Sequence, residues 1–563
     1  MIQEKLKNSI QKALKLLSIR ADDVHLEHPA DSSFGDYSSN AALAYAKELK
    51  IKPKDLAEKI SNEIGVQKMK DIEKVEVAGA GFINFFLSKE FFADSVGKAI
   101  EAGENFGANE SLKGQKIMIE YTDPNPFKEF HIGHLMSNAI GESLSKIIEF
   151  HGAEVKRACY QGDVGLHVAK AIYGAMKNAE PKNAAEWGEA YSKGSAAYED
   201  NSLAKKEIDE LNKKIYDRSD EKINTLYDSG RKISLEAFEE MYKRLGTHFD
   251  YYFFESEMTK PGLETVNRFL DKGVFEKSDG AVVFKGEKYN PVLHTRVYIT
   301  SQGLPTYEAK ELGLHIVKEK TYPAGISIVI TANEQDGVFA VGLEALRQIS
   351  PKLAEKVRHI SHGLLRLQSG KMSSRKGNVL VAEDLITDVE NLVFQKIKDR
   401  NYGKKLEKEI IEKVSVGAIK YSILKQAIGG DIIYDFEKSI SFEGDSGPYL
   451  QYSYARAKSV LEKAKGEGIK VSVGKIMPEI VELEKLLYRF PEIVERAGRE
   501  YSPHYITSYL IELAGSFNNF YAKHKIVDKE DETSPYKVAL TTAFAATIKN
   551  GLNLLGIQVP ERM

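Results

Sequence analysis

Glu120-Tyr-Thr-Asp-Pro-Asn-Pro-Phe-Lys-Glu-Phe-His-Ile-Gly-His134 is the stretch that decides how this chain is read. It closes an apolar strand-like run, Lys116 to Thr122, and opens a helical one, from about His131 to Phe150, in which Leu135, Ile140, Leu144 and Ile147 recur on one face. A second strand is predicted near Val155 to Tyr160, which makes the segment a β-α-β unit. Helix N-termini carry unpaired N–H groups and a partial positive charge. His131 and His134, one turn apart at such an end, are placed to meet phosphate or the ring oxygen of a nucleoside, and Gly133 between them leaves room for a base plane. The unit reads as a nucleotide site.

Two other readings of the histidine pair compete. A metal site wants a Glu-x-x-His or a third ligand at fixed spacing, and none stands nearby; no metal is expected. The histidines could also be ordinary surface or core residues. Far downstream comes Lys371-Met-Ser-Ser-Arg-Lys-Gly-Asn378, a Lys/Ser/Gly-rich loop after the apolar segment Gly363 to Leu367, in the order and separation that two phosphate-binding elements would need. Together the two stretches resemble the HIGH and KMSKS elements of class I aminoacyl-tRNA synthetases.

At 563 residues the chain should hold three or four domains. No run approaches the ~20 apolar residues of a membrane helix, and the amphipathic Met1 to Leu17 lacks a signal-peptide core, so a cytoplasmic protein with no membrane partner is expected. Cys159 is alone in a predicted buried strand, which excludes a disulfide framework and a thiolate zinc site within this chain. A net charge of −3 does not advertise nucleic-acid binding, so a bound polyanion must be met by local basic surfaces.

The expected fold is multidomain α/β. Residues 1–95 read as a small α+β module, with helices near Ile2 to Leu17 and Asn40 to Lys50 and a turn, Ala78-Gly-Ala-Gly-Phe-Ile-Asn84, leading into an aromatic strand. Residues 112–395 read as a Rossmann-type core carrying the two phosphate elements, split by a charged, mostly helical insertion at about 177–285. From 396 to 563 the periodicity is helical almost throughout, an α-helical bundle punctuated at Ser446-Gly-Pro448 and Pro503.

Along its whole length the chain resembles the arginyl-tRNA synthetases. Gly35-Asp-Tyr-Ser-Ser-Asn40 and Gly81-Phe-Ile-Asn84 are similar to the extra domain that this family carries before its core. Asp123-Pro-Asn-Pro-Phe-Lys128, Tyr160-Gln-Gly-Asp-Val-Gly165, Pro305-Thr-Tyr-Glu-Ala-Lys-Glu311 and Asn333-Glu-Gln335 fall in the family's order. Gly447-Pro-Tyr-Leu-Gln-Tyr-Ser-Tyr-Ala-Arg456 and Leu555-Gly-Ile-Gln-Val-Pro-Glu-Arg-Met563 resemble its anticodon-binding domain and terminus.

The resemblance implies ATP with Mg²⁺, L-arginine and tRNA-Arg as ligands of an arginine–tRNA ligase, working as a monomer. A guanidinium is planar, carries five donors and keeps its charge, so its pocket needs carboxylates and acceptors set for a fork. By resemblance Glu120, Asp123 and Asn125 hold the α-ammonium and part of the side chain, and Tyr307, Glu311 and Gln335 line the rest; Glu311 stands where the family more often has Asp. His131 and His134 would stabilise the α-phosphate in the transition state, Gly133 would admit adenine, and Lys371 with Met372, Ser373, Ser374 and Lys376 would clamp pyrophosphate. Ser374 replaces the usual second lysine of KMSKS, and Lys128 is the first choice to supply the missing charge, with Arg375 and Lys376 behind it. The resemblance assigns a tRNA contact to Asn84 in the extra domain; in the bundle Tyr449, Tyr452, Tyr454, Phe517 and Tyr521 are spaced so that exposed members, Tyr449, Tyr452 and Tyr521 first, can stack on unpaired anticodon bases with Arg456, Lys458 and Lys525 on phosphates, though most of these rings are expected in the core. The insertion is assigned to the acceptor end, with no editing domain required. Another class I synthetase would want thiolate zinc ligands or a basic carboxylate pocket, and neither is visible. A catalytically silent tRNA-binding paralogue is disfavoured by the presence of His131, His134 and Lys371.

Overall fold

A computed structural model describes residues 2–66, 69–367, 380–400 and 402–563. The KMSKS-like stretch, with Lys371, Met372, Ser373, Ser374, Arg375 and Lys376, lies outside the described residues.

The N-terminal module packs the helices Ile2–Leu16, Ala41–Leu49 and Pro53–Val66 on an antiparallel sheet in which β3 (Phe82–Leu87) lies between β1 (Tyr37–Ser39) and β2 (Ile72–Ala78). Two glycines of the family-like motifs are needed for close approach. Gly35 has φ 95°, and a Cβ there would collide with the Phe85 carbonyl; Gly81, φ 133°, would collide with the backbone of Pro53. The core of this module also takes in Tyr488, from the far end of the chain. Helix Lys89–Ala102, capped by Ser88, leaves the module: Ala93, Val96 and Ala99 are buried in the main core, so residue 95 falls inside an element that the two units share.

The main core is built on a parallel sheet. In chain order its first strands are β4 (Lys116–Glu120), β5 (Glu154–Gln161) and β6 (Tyr251–Phe254). A separate antiparallel hairpin sheet follows, β7 (Glu276–Ser278), β8 (Ala281–Lys285) and β9 (Thr295–Ile299), before β10 (Ile326–Ala332) and β11 (Val357–His362) return to the parallel sheet, whose order is β11-β10-β4-β5-β6. Every pairing in that sheet is parallel, with Ile119 beside Ile328 and Arg157. Both faces are covered, which is why β4 and β10 read as nearly continuous apolar runs. The chain reverses its lateral direction between β4 and β10, and in open α/β sheets ligands bind at the carboxyl ends beside that switch.

Helix Ile132–Phe150 joins β4 to β5, with Leu135, Ile140, Leu144 and Ile147 buried. The stretch expected as one insertion, about 177–285, contains three helices, Ala184–Asp200, Ser202–Asp217 and Glu221–Leu245, but also β6 and helix Glu255–Leu270. These last two belong to the nucleotide fold. The aromatic run of β6 joins the sheet edge, anchored by Asp250, whose carboxylate accepts the Arg157 N–H at 2.9 Å, and Gly262 lets the following helix approach the backbone of Ala309.

A short parallel pair, β12 (Leu365–Leu367) with β13 (Ile432–Tyr434), ties the core to the bundle. The bundle includes Lys404–Leu424, Gly447–Gly466, His504–Lys523 and Ser534–Leu554, and its apolar interior is continuous with that of the sheet and of helix Ile132–Phe150. Ser446 caps the helix Gly447–Gly466, accepting the Tyr449 N–H at 3.1 Å, with Pro448 in the first turn. Among the described residues no helix is long and apolar enough to cross a membrane. Cys159 is buried in β5.

Candidate active site

The loop after β4 holds three non-glycine residues at positive φ: Thr122 (82°), Asp123 (46°) and Phe127 (69°). Each such residue costs of the order of 1–3 kcal/mol and persists only where its surroundings over-determine it. Here they do. The Ser137 Oγ accepts the Thr122 N–H at 2.9 Å and donates to the Ile330 carbonyl at 3.1 Å, bridging β4 and β10 at the switch point, while Asn138 donates to the Thr122 hydroxyl at 3.0 Å. Phe127 is buried edge-on against Trp187 of the first insertion helix, and its N–H donates to the Ser234 hydroxyl at 2.9 Å.

At the helix start, His131 is the N-cap residue: its Nδ1 accepts the Gly133 N–H at 3.1 Å, and the His134 Nδ1 accepts the His131 N–H at 3.2 Å. The two rings stack with centroids 3.5 Å apart. The space beside Gly133 is taken by the His131 ring, 3.1 Å from where a Cβ would stand, so the glycine permits this stacking. Burial, reinforced by Lys128, lowers His131 to about 4; burial, His131 and Lys128 hold His134 well below the usual range. Both rings are therefore neutral at pH 7. With each Nδ1 occupied as an acceptor, each proton sits on Nε2, and the pair offers two N–H donors and no formal charge.

Lys128 rests over the Tyr191 ring of the insertion, 4.7 Å from its centroid, and its charge reaches His131, His134, His167 and Glu255. The chain leaving the KMSKS-like stretch re-enters the described residues beside the same histidines: Ile132 N–H donates to the Leu380 carbonyl at 3.0 Å and Ala382 N–H to that of Phe130 at 2.9 Å.

Next to this donor pair is an acid-rich pocket. Glu120 ends β4 buried and accepts from Lys318 at 3.0 Å. Among the described residues Asp123 accepts only the Tyr160 N–H, at 2.7 Å, and burial together with Glu120 pushes its carboxyl well up. Among the described residues the buried Glu311 has no close hydrogen-bond partner on either oxygen, His315 Nε2 lying 3.6 Å away; burial with the nearby Glu120 raises it to about 8, against the opposing pull of Lys318 and the Tyr307 hydroxyl. Tyr307 faces the same carboxylates; burial and then Glu311 push its hydroxyl up. Asn125 lies with Glu255 against Gly162, where a side chain would collide with both. Gln335 stands on the short turn after β10, across the switch point from Asp123. The structure thus brings Glu120, Asp123, Tyr307 and Glu311 together, with Asn125 and Gln335 on the flanks. Sequence reading missed Glu255, Lys310, Lys318, Tyr160 and His167. A signal existed for Lys318, which is seven residues after Glu311 on one helix face, and for Lys310 and Tyr160, which lie inside the family-like motifs.

Away from this pocket, Asn84 is only 3% exposed and its carbonyl oxygen accepts from the Ser38 hydroxyl at 2.8 Å. The module presents Phe34, Phe82 and the Lys74–Phe86 pair at its surface. In the bundle, Tyr454 and Phe517 are core. Tyr521, 44% exposed, and Tyr452 flank the Arg456 guanidinium at 5.1 and 4.8 Å, and Asn518, which also donates to Tyr449, holds it in place. They line a groove of about 650 Å³ with Lys463, Lys525 and Met563.

A parallel sheet of this order, with a His-x-Gly-His helix start at its switch point, belongs to the class I tRNA synthetases: the model of that class described as "tRNA synthetases class I (R), catalytic domain" matches residues 96–436. The "Arginyl tRNA synthetase N terminal domain" matches 2–87 and the "DALR anticodon binding domain" 450–563. Similar proteins include the arginine–tRNA ligases of Borrelia hermsii, 31% identical across 100% of this chain and 99% of the relative, and of Clostridium kluyveri, 32% identical across 96% of each. In fold it matches the Thermus thermophilus arginyl-tRNA synthetase (TM-score 0.81, 24% identity, 100% of both chains) and that of Plasmodium falciparum (0.79, 20%, 100% and 99%). The chain belongs to the arginyl-tRNA synthetase family.

Proposed function

We propose that this arginine–tRNA ligase holds L-arginine in the acid pocket, with the α-ammonium and guanidinium on Glu120, Asp123, Asn125, Tyr307, Glu311 and Gln335, and its carboxylate toward His131 and His134. The observation that carries this is Glu311, a buried carboxyl without a close hydrogen-bond partner among the described residues, beside Asp123, which has only one among them. Buried carboxyl groups left unpaired are costly, and a ligand with two cationic groups relieves both.

The arginine carboxylate then attacks the α-phosphorus of ATP, which arrives as its Mg²⁺ complex; an O–P bond forms, the bond to the β-phosphate oxygen breaks, and pyrophosphate leaves. Charge grows on the equatorial oxygens, where the Nε2–H groups of His131 and His134 donate. Lys128 neutralises the leaving pyrophosphate together with Lys371 and Lys376, and Met372, Ser373 and Ser374 of the same loop contribute to binding ATP. The 3′-terminal adenosine of tRNA-Arg attacks the adenylate and releases AMP. The Tyr452–Arg456–Tyr521 array, with Tyr449 behind it, would stack on unpaired anticodon bases. Domains at 1–95, 112–395 and 396–563, a monomeric state and a cytoplasmic location complete the reading.

ATP–pyrophosphate exchange with each of the twenty amino acids, with and without tRNA-Arg, tests it. Exchange is expected with arginine alone; equal exchange with lysine, or none with any amino acid, would refute the assignment.

A further inference from the structure

Four carboxylates converge on the pocket, Glu120, Asp123, Glu255 and Glu311, and two buried ammonium groups face them. Lys318 pairs with Glu120 at 3.0 Å, and Lys310 pairs with Glu255. Asp123 and Glu311 have no cation of their own among the described residues. The lining therefore carries two net negative charges when every group is ionised, and free arginine carries two cationic groups, its guanidinium and its α-ammonium.

The second pair is held from three sides. Lys310 Nζ donates to the Tyr216 hydroxyl at 3.2 Å, a group supplied by the insertion helix Ser202–Asp217. The absence of a side chain at Gly162 leaves Glu255 Oε1 in place, 3.1 Å from where a Cβ would stand. Lys128 acts on Glu255 from the loop after β4, whereas the nearby Asp163 is taken up by Arg231, Tyr227 and Ser256. Burial lowers Lys310, but Glu255 and Tyr216 outweigh that and raise it, so the ammonium stays charged at neutral pH.

We propose that Glu255 and Lys310 form a charge-balancing pair that determines specificity: by cancelling each other they hold the pocket at two uncompensated carboxylates, matched to a ligand with two cationic groups, and Tyr216 lets the insertion keep the pair closed. The proposal rests on the reading of this pocket as the arginine site. On this view neither member touches arginine, and what matters is their sum. Glu255→Gln leaves Lys310 uncancelled and the pocket with one net negative charge; Glu255→Gln with Lys310→Met returns the count to two.

The test is calorimetric binding of L-arginine to the full chain at pH 7.5, with melting temperatures to establish that each variant is folded. Glu255→Gln is expected to raise the Kd at least tenfold, and the double variant to return it to within about threefold of wild type. A double variant that stays tenfold weak means that Glu255 is itself an arginine ligand, and Glu255→Gln binding like wild type means that the charge count is irrelevant; either result overturns the proposal. The double variant, which removes a buried pair as a unit, is decisive should Glu255→Gln fail to fold. Wild-type protein that does not bind arginine refutes the site assignment instead, a distinguishable outcome.

Discussion

The neutrality of His131 and His134 sets what each can contribute: a directed hydrogen bond that strengthens as charge develops on phosphate. His134→Ala is expected to lower the exchange rate about 10²-fold or more. It also removes the acceptor of the His131 N–H, so the loss should divide into a large fall in kcat and about 1 kcal/mol of stability, measured by exchange kinetics and denaturant unfolding. Near-normal kcat would defeat the assignment. Glu311 gives a pH prediction with a definite sign. Its carboxyl, raised to about 8 in the ligand-free fold, is protonated at neutral pH and must shed that proton to face a guanidinium. Arginine affinity should therefore rise with pH between pH 6 and 7.5, by roughly tenfold per unit or more because Asp123 is pushed up as well, with at least about one proton released per arginine bound. Calorimetry in buffers of different ionisation enthalpy reads this directly, and Glu311→Gln should reduce the slope by about one proton. By the same linkage the ligand-free fold draws stability from protonated Glu311 that is complete below the unfolded carboxyl range near 4.5 and is lost as pH rises through 8. For Lys128, replacement by Ala should depress arginine-dependent exchange at least about tenfold, more than Lys376→Ala does. Ser374→Lys should recover part of the loss; if it recovers nothing, the two positions do not exchange roles.

At the scale of elements, the strained loop after β4 is tied to β10 and to helix Ile132–Phe150 through one hydroxyl, that of Ser137. Ser137→Ala removes the acceptor for the strained Thr122 and the donor to Ile330 at once. We expect a destabilisation of about 1–3 kcal/mol and a larger effect on the arginine KM than on that of ATP, because Thr122 and Asp123 rather than the histidine cap lose their support. Unfolding curves alongside KM values check both parts. A variant with unchanged arginine KM would mean that Phe127, wedged against Trp187, holds the loop alone. The insertion helices also act at this scale. Through Tyr191 under Lys128 and Tyr216 on Lys310, they supply the seats of two lysines near the pocket.

Over the whole molecule, the N-terminal module and the bundle are fastened together away from the chemistry. His28 Nε2 meets Glu492 at 3.1 Å, Tyr37 donates to the same carboxylate, and Tyr488 completes the module's core. Helix Lys89–Ala102 belongs to both units. A chain lacking residues 1–87 should accordingly stay folded and retain exchange, with a raised KM for tRNA. One lacking 1–95 cuts that helix and should lose stability as well. Circular dichroism melting and aminoacylation kinetics separate the two. An unchanged tRNA KM in the shorter deletion would remove the module from tRNA binding.

The periodicity of Lys116–Phe150 and the dense family-like motifs were enough to specify the β-α-β unit, the histidine cap and the family, because these depend on neighbours in sequence and on backbone geometry that few residue types allow. The helical bundle was legible for the same reason, from its 3.6-residue repeat. What only the tertiary structure decided were the long-range matters. Strand β6 was hidden in a charged stretch because a short aromatic edge strand has no periodicity of its own to separate it from helix. The burial of Asn84 under the Ser38 hydroxyl was likewise invisible in the sequence, since burial is set by which strand lies opposite. The pairing of Lys318 with Glu120 and of Lys310 with Glu255 joins residues 198 and 55 positions apart. The charge left on a pocket is a sum over side chains delivered by several elements, and no local reading of the chain contains that sum.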